Sequence, residues 1–190
     1  IVETVRTAGA LGVDAHVDNV RWSEIVERVF SRIDPIAAGG EDYRRSLDNV
    51  TVFSEDARFV GHKQVQVGDQ VITANTIVLA AGARPRIPNI PGLDDVRFHT
   101  SATIMRVPTP PRRLAILGGG FIACEMGHVF QAAGSHVTMI NRSQQLLRAH
   151  DDEISERFTQ VFGERFDLRC GETPTQVRYE GDEIIIEFPT

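Results

Sequence analysis

The chain has 190 residues, 42% of them hydrophobic and 24% charged, with a formal charge of −6. That length holds one sizeable domain or two small ones, and the composition is ordinary for a soluble globular protein. The acidic balance speaks against non-specific nucleic-acid binding, which needs basic surface to displace counterions. No apolar run approaches the roughly 20 residues of a membrane span. The two cysteines, Cys124 and Cys170, form no metal or redox spacing and read as core thiols of a reduced, cytoplasmic protein.

In chain order, "IVETVRTAGALG" reads as the tail of a helix stopped by Gly12. Ile25, Val26, Val29, Phe30 and Ile33 give one apolar helical face, which Pro35 and Gly39-Gly40 are expected to interrupt before "EDYRRSL" resumes it. After Asn49 the texture turns to β. "VTVFSE", "KQVQV" and "QVITA" read as short strands, with Gly68-Asp69 as a hairpin turn. "TIVLAAG" (76–82) predicts a strand buried on both faces. The prolines of "ARPRIPNIPG" mark an extended crossing and a domain edge, and "VPTPPRR" is a second proline cluster.

From Leu114 the order is strand, helix (121–134), strand (HVTMI), helix (about 151–163), strand (DLRCG), which predicts a βαβαβ unit with parallel strands. "TQVRYEGDEIIIEF" then reads as an antiparallel hairpin. The fold class expected is α/β: a Rossmann-like dinucleotide-binding βαβ unit plus part of a second domain with antiparallel hairpins. With no initiator Met, and with ends that read as the middle of elements, the chain is expected to be an internal part of a longer protein.

The first strand of that unit leads into Gly118-Gly119-Gly120-Phe121-Ile122-Ala123, a G-x-G-x-x-A sequence. Gly118 allows the tight turn, Gly120 lets a pyrophosphate approach the backbone, and Ala123 lets the helix lie against the strand. The helix N-terminus adds free N–H groups and partial positive charge. A glycine loop without a ligand is the common alternative. Here the strand before it and the amphipathic helix after it favour a dinucleotide.

At the end of the second strand an NAD site usually places an Asp or Glu for the ribose hydroxyls. This chain has Asn141 and Arg142 there, and Arg148 six residues after Arg142. Charge-assisted hydrogen bonds are worth about 1.5–3 kcal/mol each, so two guanidinium groups favour NADPH over NADH by roughly a hundredfold. The plainer alternative is that both arginines are solvated surface charges. Glu125, near the start of the helix, either complements the helix dipole or serves the site.

These pieces fit a known family. "IVLAAGARPRIPNIPG" and "HTSATIMRVPTPPRRLAILGGGFIACEMGHVFQAAGSHVTMINR" resemble the flavin-dependent pyridine nucleotide-disulfide oxidoreductases over essentially the whole chain. "AAG" at 80–82 matches the family's A-T-G segment, with Ala81 in place of Thr, and the paired arginines match its NADPH-dependent branch. "LLRAHDDEISERFT" is most similar to members that reduce mycothione in actinobacteria.

The resemblance implies that Gly118, Gly119, Gly120 and Ile122 line the NADPH pyrophosphate site, with Ala123 as part of the same cofactor-binding motif. Arg142 and Arg148, beside Asn141, would hold the 2′-phosphate, and Glu125 would sit near the nicotinamide. Phe121 would stand where relatives carry a gating Tyr; otherwise it is a core Phe. Asp56-Ala57 and Ala81-Gly82 would lie against FAD. Residues 1–105 would then be part of an FAD domain and 106–190 most of an NADPH domain. The implied reaction carries hydride from NADPH to FAD, then electrons to a cysteine pair and to a small-molecule disulfide such as mycothione, in a homodimeric enzyme. That cysteine pair and the catalytic His are expected outside this sequence, so no catalytic residue is assigned and this portion alone is expected to be inactive. Two alternatives stay open: a flavin reductase or transhydrogenase without a redox cysteine pair, and a non-catalytic NADPH-binding module.

Overall fold

The first helix, α1 (Val2–Thr7), runs into a 3-10 turn over Ala8–Leu11 and stops at Gly12, whose φ of 78° is left-handed, in a computed structural model that describes residues 1–189. A glycine adopts that conformation without steric cost, which is why the helix ends there. The next helix, α2 (Trp22–Arg45), is continuous through Pro35, where the sequence predicts an interruption. Proline removes one N–H and frees one carbonyl. On this exposed stretch water can satisfy that carbonyl. Beyond it, Arg45 donates from Nε and Nη2 to Glu41 Oε1 at 2.9 and 2.6 Å, and Arg44 donates to the Gly40 carbonyl at 2.5 Å. Side-chain pairs four residues apart support the helix past its glycines.

The chain forms two compact units, Glu27–Arg84 and Ile1–Val26 together with Pro85–Thr190. The Glu27–Arg84 unit carries an antiparallel meander of β1 (Ala57–Gly61), β2 (Gln64–Val67) and β3 (Gln70–Thr73). Val67 faces Gln70 across the expected turn, where Gly68 has φ 55°. Two expectations fail in this unit. Residues 51–55 are irregular, and the first strand begins only at Ala57. The run 76–82 is not a strand at all; Val78 and Leu79 are 82% and 76% exposed. A strand buried on both faces needs a pairing neighbour and covering layers, and β1–β3 pair only among themselves.

In the other unit β4 (Arg113–Leu117), α3 (Phe121–Ala132), β5 (His136–Asn141), α4 (Asp152–Gly163) and β6 (Asp167–Cys170) alternate as expected. The sheet is parallel in the order β4-β5-β6, with Leu117 opposite Ile140 and Ile140 opposite Arg169. β4 is therefore an edge strand with alternating burial rather than a fully buried one. Gly127 brings α3 down onto the sheet: a Cβ there would lie 3.4 Å from Met139 Sδ and 3.7 Å from Ile116 Cδ1. Phe130, Met139 and Leu146 are fully buried. Trp22 packs on Phe130 with ring centroids 5.1 Å apart and donates its Nε1–H to the Val107 carbonyl at 2.8 Å. Phe158, Phe162 and Phe166 stack in sequence at 4.2 and 4.8 Å, binding α4 to the turn before β6. Each buried side chain of this size contributes about 1.5–3 kcal/mol, so this cluster is the main source of the unit's stability.

The hairpin of β7 (Gln176–Glu180) and β8 (Glu183–Glu187) turns at Gly181, φ 62°. It holds the segment after the proline run. Val177 N–H donates to the Pro91 carbonyl at 2.9 Å, and the Arg97 N–H donates to the Tyr179 hydroxyl at 2.9 Å. Leu93, Val96 and Val177 form a small separate core. Gly92 is at φ 78°, and a Cβ on it would sit 2.0 Å from the Val177 carbonyl oxygen, so only glycine fits.

Candidate nucleotide site

At the C-terminal end of β4 the backbone turns sharply at Gly118, φ 142°, a conformation open to glycine and closed to most side chains. A Cβ at Gly118 would lie 3.8 Å from the Ala123 methyl, so the turn and the first coil of α3 are in close contact. Gly120 is the N-cap of α3, with no side chain capping the helix, and a Cβ on it would meet nothing within 4 Å. The helix thus presents uncapped N–H groups and partial positive charge to open space beside a bare backbone. That is the shape a pyrophosphate requires.

The loop after β5 is tied to this turn. Asn141 is 7% exposed, and its Nδ2 donates to the Ser143 and Gln145 carbonyls at 3.0 and 2.9 Å. A Cβ on Gly119 would fall 2.5 Å from Asn141 Cγ, so the middle glycine makes room for this side chain. Leu147 N–H donates to the Gly119 carbonyl at 2.7 Å, and Gly171 N–H to the Ser143 carbonyl at 3.1 Å. From α4, Thr159 Oγ1 accepts from Leu146 N–H at 2.9 Å, and Ser155 Oγ donates to the Leu147 carbonyl at 3.0 Å. Leu147 itself sits at φ 53°. A non-glycine residue is held there only when its surroundings over-determine it.

On this braced loop Arg142 and Arg148 are both exposed. Neither makes an ion pair or a hydrogen bond among the described residues. Glycine turn and arginine loop are brought together through the Gly119–Asn141 and Gly119–Leu147 contacts. On α3, Phe121, Ile122 and Glu125 share the exposed face, with Phe121 at 63% exposure, while Cys124, Gly127 and Phe130 face inward. Phe121 is thus not a core residue of this unit. Sequence reasoning missed Ser155 and Thr159. Their signal was two hydroxyl residues four apart on the inner side of an amphipathic helix, where apolar side chains are expected.

Asp56 and Ala57 line a shallow, open depression of about 490 Å³ with Glu55, Arg58, Gln66 and Gly68. Ala81 and Gly82 are not part of it; they lie on the exposed run, with Gly82 at φ 68°. Burial, and then the neighbouring Glu125 carboxylate, push the Cys124 thiol up to about 11. Burial also raises the Cys170 thiol, against the lowering effect of its hydrogen bond with Asn141. Both are protonated at neutral pH, as core thiols should be. Among the described residues no cluster of three or more His, Cys, Asp or Glu is placed to hold a metal ion, and no helix is long and apolar enough to cross a membrane.

Known proteins resemble this chain in sequence and in fold. A mycothione reductase from Mycobacterium tuberculosis is 45% identical over 99% of this chain and 42% of its own length. A mercuric reductase from Bacillus cereus is 40% identical over 90% of this chain and 27% of its own length. The solved structure of the HOCl-induced flavoprotein disulfide reductase RclA from Escherichia coli superposes with a TM-score of 0.77 at 19% identity, covering 98% of this chain and 42% of that one. The chain thus spans less than half the length of these relatives. The family model for pyridine nucleotide-disulphide oxidoreductases matches residues 5–188. By the glycine turn, the parallel βαβαβ sheet and this match over nearly its full length, the chain belongs to the pyridine nucleotide-disulphide oxidoreductase family.

Proposed function

We propose that residues 106–190 bind NADPH and residues 1–105 contribute to FAD binding in a flavin-dependent disulfide reductase acting on a low-molecular-weight thiol disulfide such as mycothione. The observation that carries the NADPH half is the pair of exposed, unpartnered guanidinium groups of Arg142 and Arg148. They stand on a loop bonded to the glycine turn, where an NAD site carries a carboxylate. Held by these residues, NADPH and FAD would together supply the two electrons that reduction of a disulfide needs. This chain's residues do the holding. Gly118–Gly120 and the first turn of α3 receive the pyrophosphate, Arg142 and Arg148 the 2′-phosphate. Phe121 and Glu125, on the exposed face of α3, serve the nicotinamide end, and Ile122 lines the pyrophosphate. Asp56-Ala57 and Ala81-Gly82 serve the flavin. The whole enzyme is proposed to be a cytoplasmic homodimer, and the substrate rests on the 45% identity to mycothione reductase.

Replacing both arginines by alanine is expected to weaken NADPH binding by roughly a hundredfold while NADH binding changes little. Calorimetric titration with each nucleotide measures this. An unchanged NADPH/NADH preference overturns the NADPH reading. The substrate is tested by following NADPH oxidation in the full-length enzyme with oxidised mycothione, glutathione disulfide or mercuric ion. Preference for either of the last two overturns the mycothione reading.

A further inference from the structure

The sequence places Asn141 where a ribose-binding carboxylate stands in NAD sites, which suggests a direct contact with the nucleotide. The geometry points elsewhere. Its carboxamide is buried, and its donor nitrogen already bonds two carbonyls of its own loop, at Ser143 and Gln145. Those carbonyls lie between the two arginines in the chain. We infer that Asn141 is a positioning residue for 2′-phosphate recognition. By gathering the Ser143 and Gln145 carbonyls, it fixes the bend that presents Arg142 and Arg148 as one two-armed anion site. This rests on the proposal that these arginines bind the 2′-phosphate.

Three further observations support a braced loop rather than a free one. Ser143 O also accepts from Gly171 N–H, so the bend is gripped from β6 as well. The far end of the loop is fixed by Thr159, by Ser155 and by the Gly119 carbonyl, leaving Asn141 as the buried side chain that holds the near half. Gly119 accommodates that side chain at a distance no Cβ permits. The middle glycine of the motif therefore serves the arginine loop as much as the phosphate turn. A long, flexible arginine loses less entropy on binding when its backbone is already set, so a rigid loop strengthens two guanidinium contacts at once.

Asn141→Asp keeps the shape but replaces the donor by a charged acceptor facing two carbonyls, and Asn141→Ala removes the group. The probes are 2′,5′-ADP, which carries the 2′-phosphate, and 5′-AMP, which does not, titrated calorimetrically into the full chain. Either variant is expected to weaken 2′,5′-ADP at least about tenfold and 5′-AMP less than about twofold. In an Arg142→Ala/Arg148→Ala background, Asn141→Ala is expected to add nothing, because nothing is left to position. Equal weakening of both probes, no weakening of 2′,5′-ADP, or the same loss without the arginines overturns the inference. If the arginine double variant itself binds 2′,5′-ADP as tightly as the wild type, the NADPH reading fails first, and the two failures are distinguishable. Should Asn141→Ala fail to fold, Asn141→Asp and its circular dichroism spectrum carry the test, and a native spectrum with unchanged probe selectivity overturns it.

Discussion

"TIVLAAG" and "HVTMIN" are both short runs rich in apolar and β-branched residues, yet they meet opposite fates. In the second, Met139 is fully buried and Ile140 is 5% exposed. In the first, Val78 and Leu79 are almost wholly exposed. The difference lies in what surrounds each. β5 has a strand on either side, and α3 packs down onto it through Gly127. The Glu27–Arg84 unit offers the earlier run neither, and Val67 is the one buried apolar side chain among its described residues. An apolar run states a demand for burial. Whether the demand is met depends on neighbours that the run does not encode.

The largest test of this contrast is a pair of truncations. Phe130→Ala is expected to cost about 3–5 kcal/mol, the usual loss for a fully buried phenylalanine. Leu79→Ala should fall within about 0.5 kcal/mol of wild type, as exposed substitutions do. Urea denaturation of both variants measures this, and a comparable loss from Leu79→Ala would erase the distinction between the two runs. Next in size is Gly92→Ala, which meets both a left-handed φ and the Val177 carbonyl. Its expected cost is upward of about 1 kcal/mol, with faster hydrogen exchange at the Val177 amide.

A further test is in pH. Burial raises the Cys124 thiol from 9.0 to about 11, so between these values the unfolded chain releases a proton that the folded chain keeps. The contribution is whole below pH 9 and is lost as pH rises through 11. Cys124→Ala should flatten that alkaline decline relative to wild type in thermal melts. An identical decline in the two proteins would show that this thiol takes no part in it.

Much of the parallel-sheet unit was legible because its signals are local. Gly118 reports a backbone demand at its own position, and the alternation of periods from Leu114 to Cys170 reports a crossover sheet. The continuous α2 was not legible, since Pro35 signals a lost hydrogen bond but not whether water can replace it. The bracing role of Asn141 was hidden for another reason. A polar residue at a strand end announces a hydrogen bond, and only the path of the loop decides whether the partner is a ligand or the chain itself. Ser155 and Thr159 were missed for the same cause, as their partners lie on another element.

The grip of Gly92 on Val177 has a consequence for anyone recombining this family. The permitted residue at 92 is set by a backbone atom of a hairpin far along the chain. The hairpin's own first strand is completed by the Pro91 carbonyl. A chimaera that imports residues 176–187 from a relative must import the 90–97 segment with them. A crossover placed between the two would join halves that never evolved to close on each other.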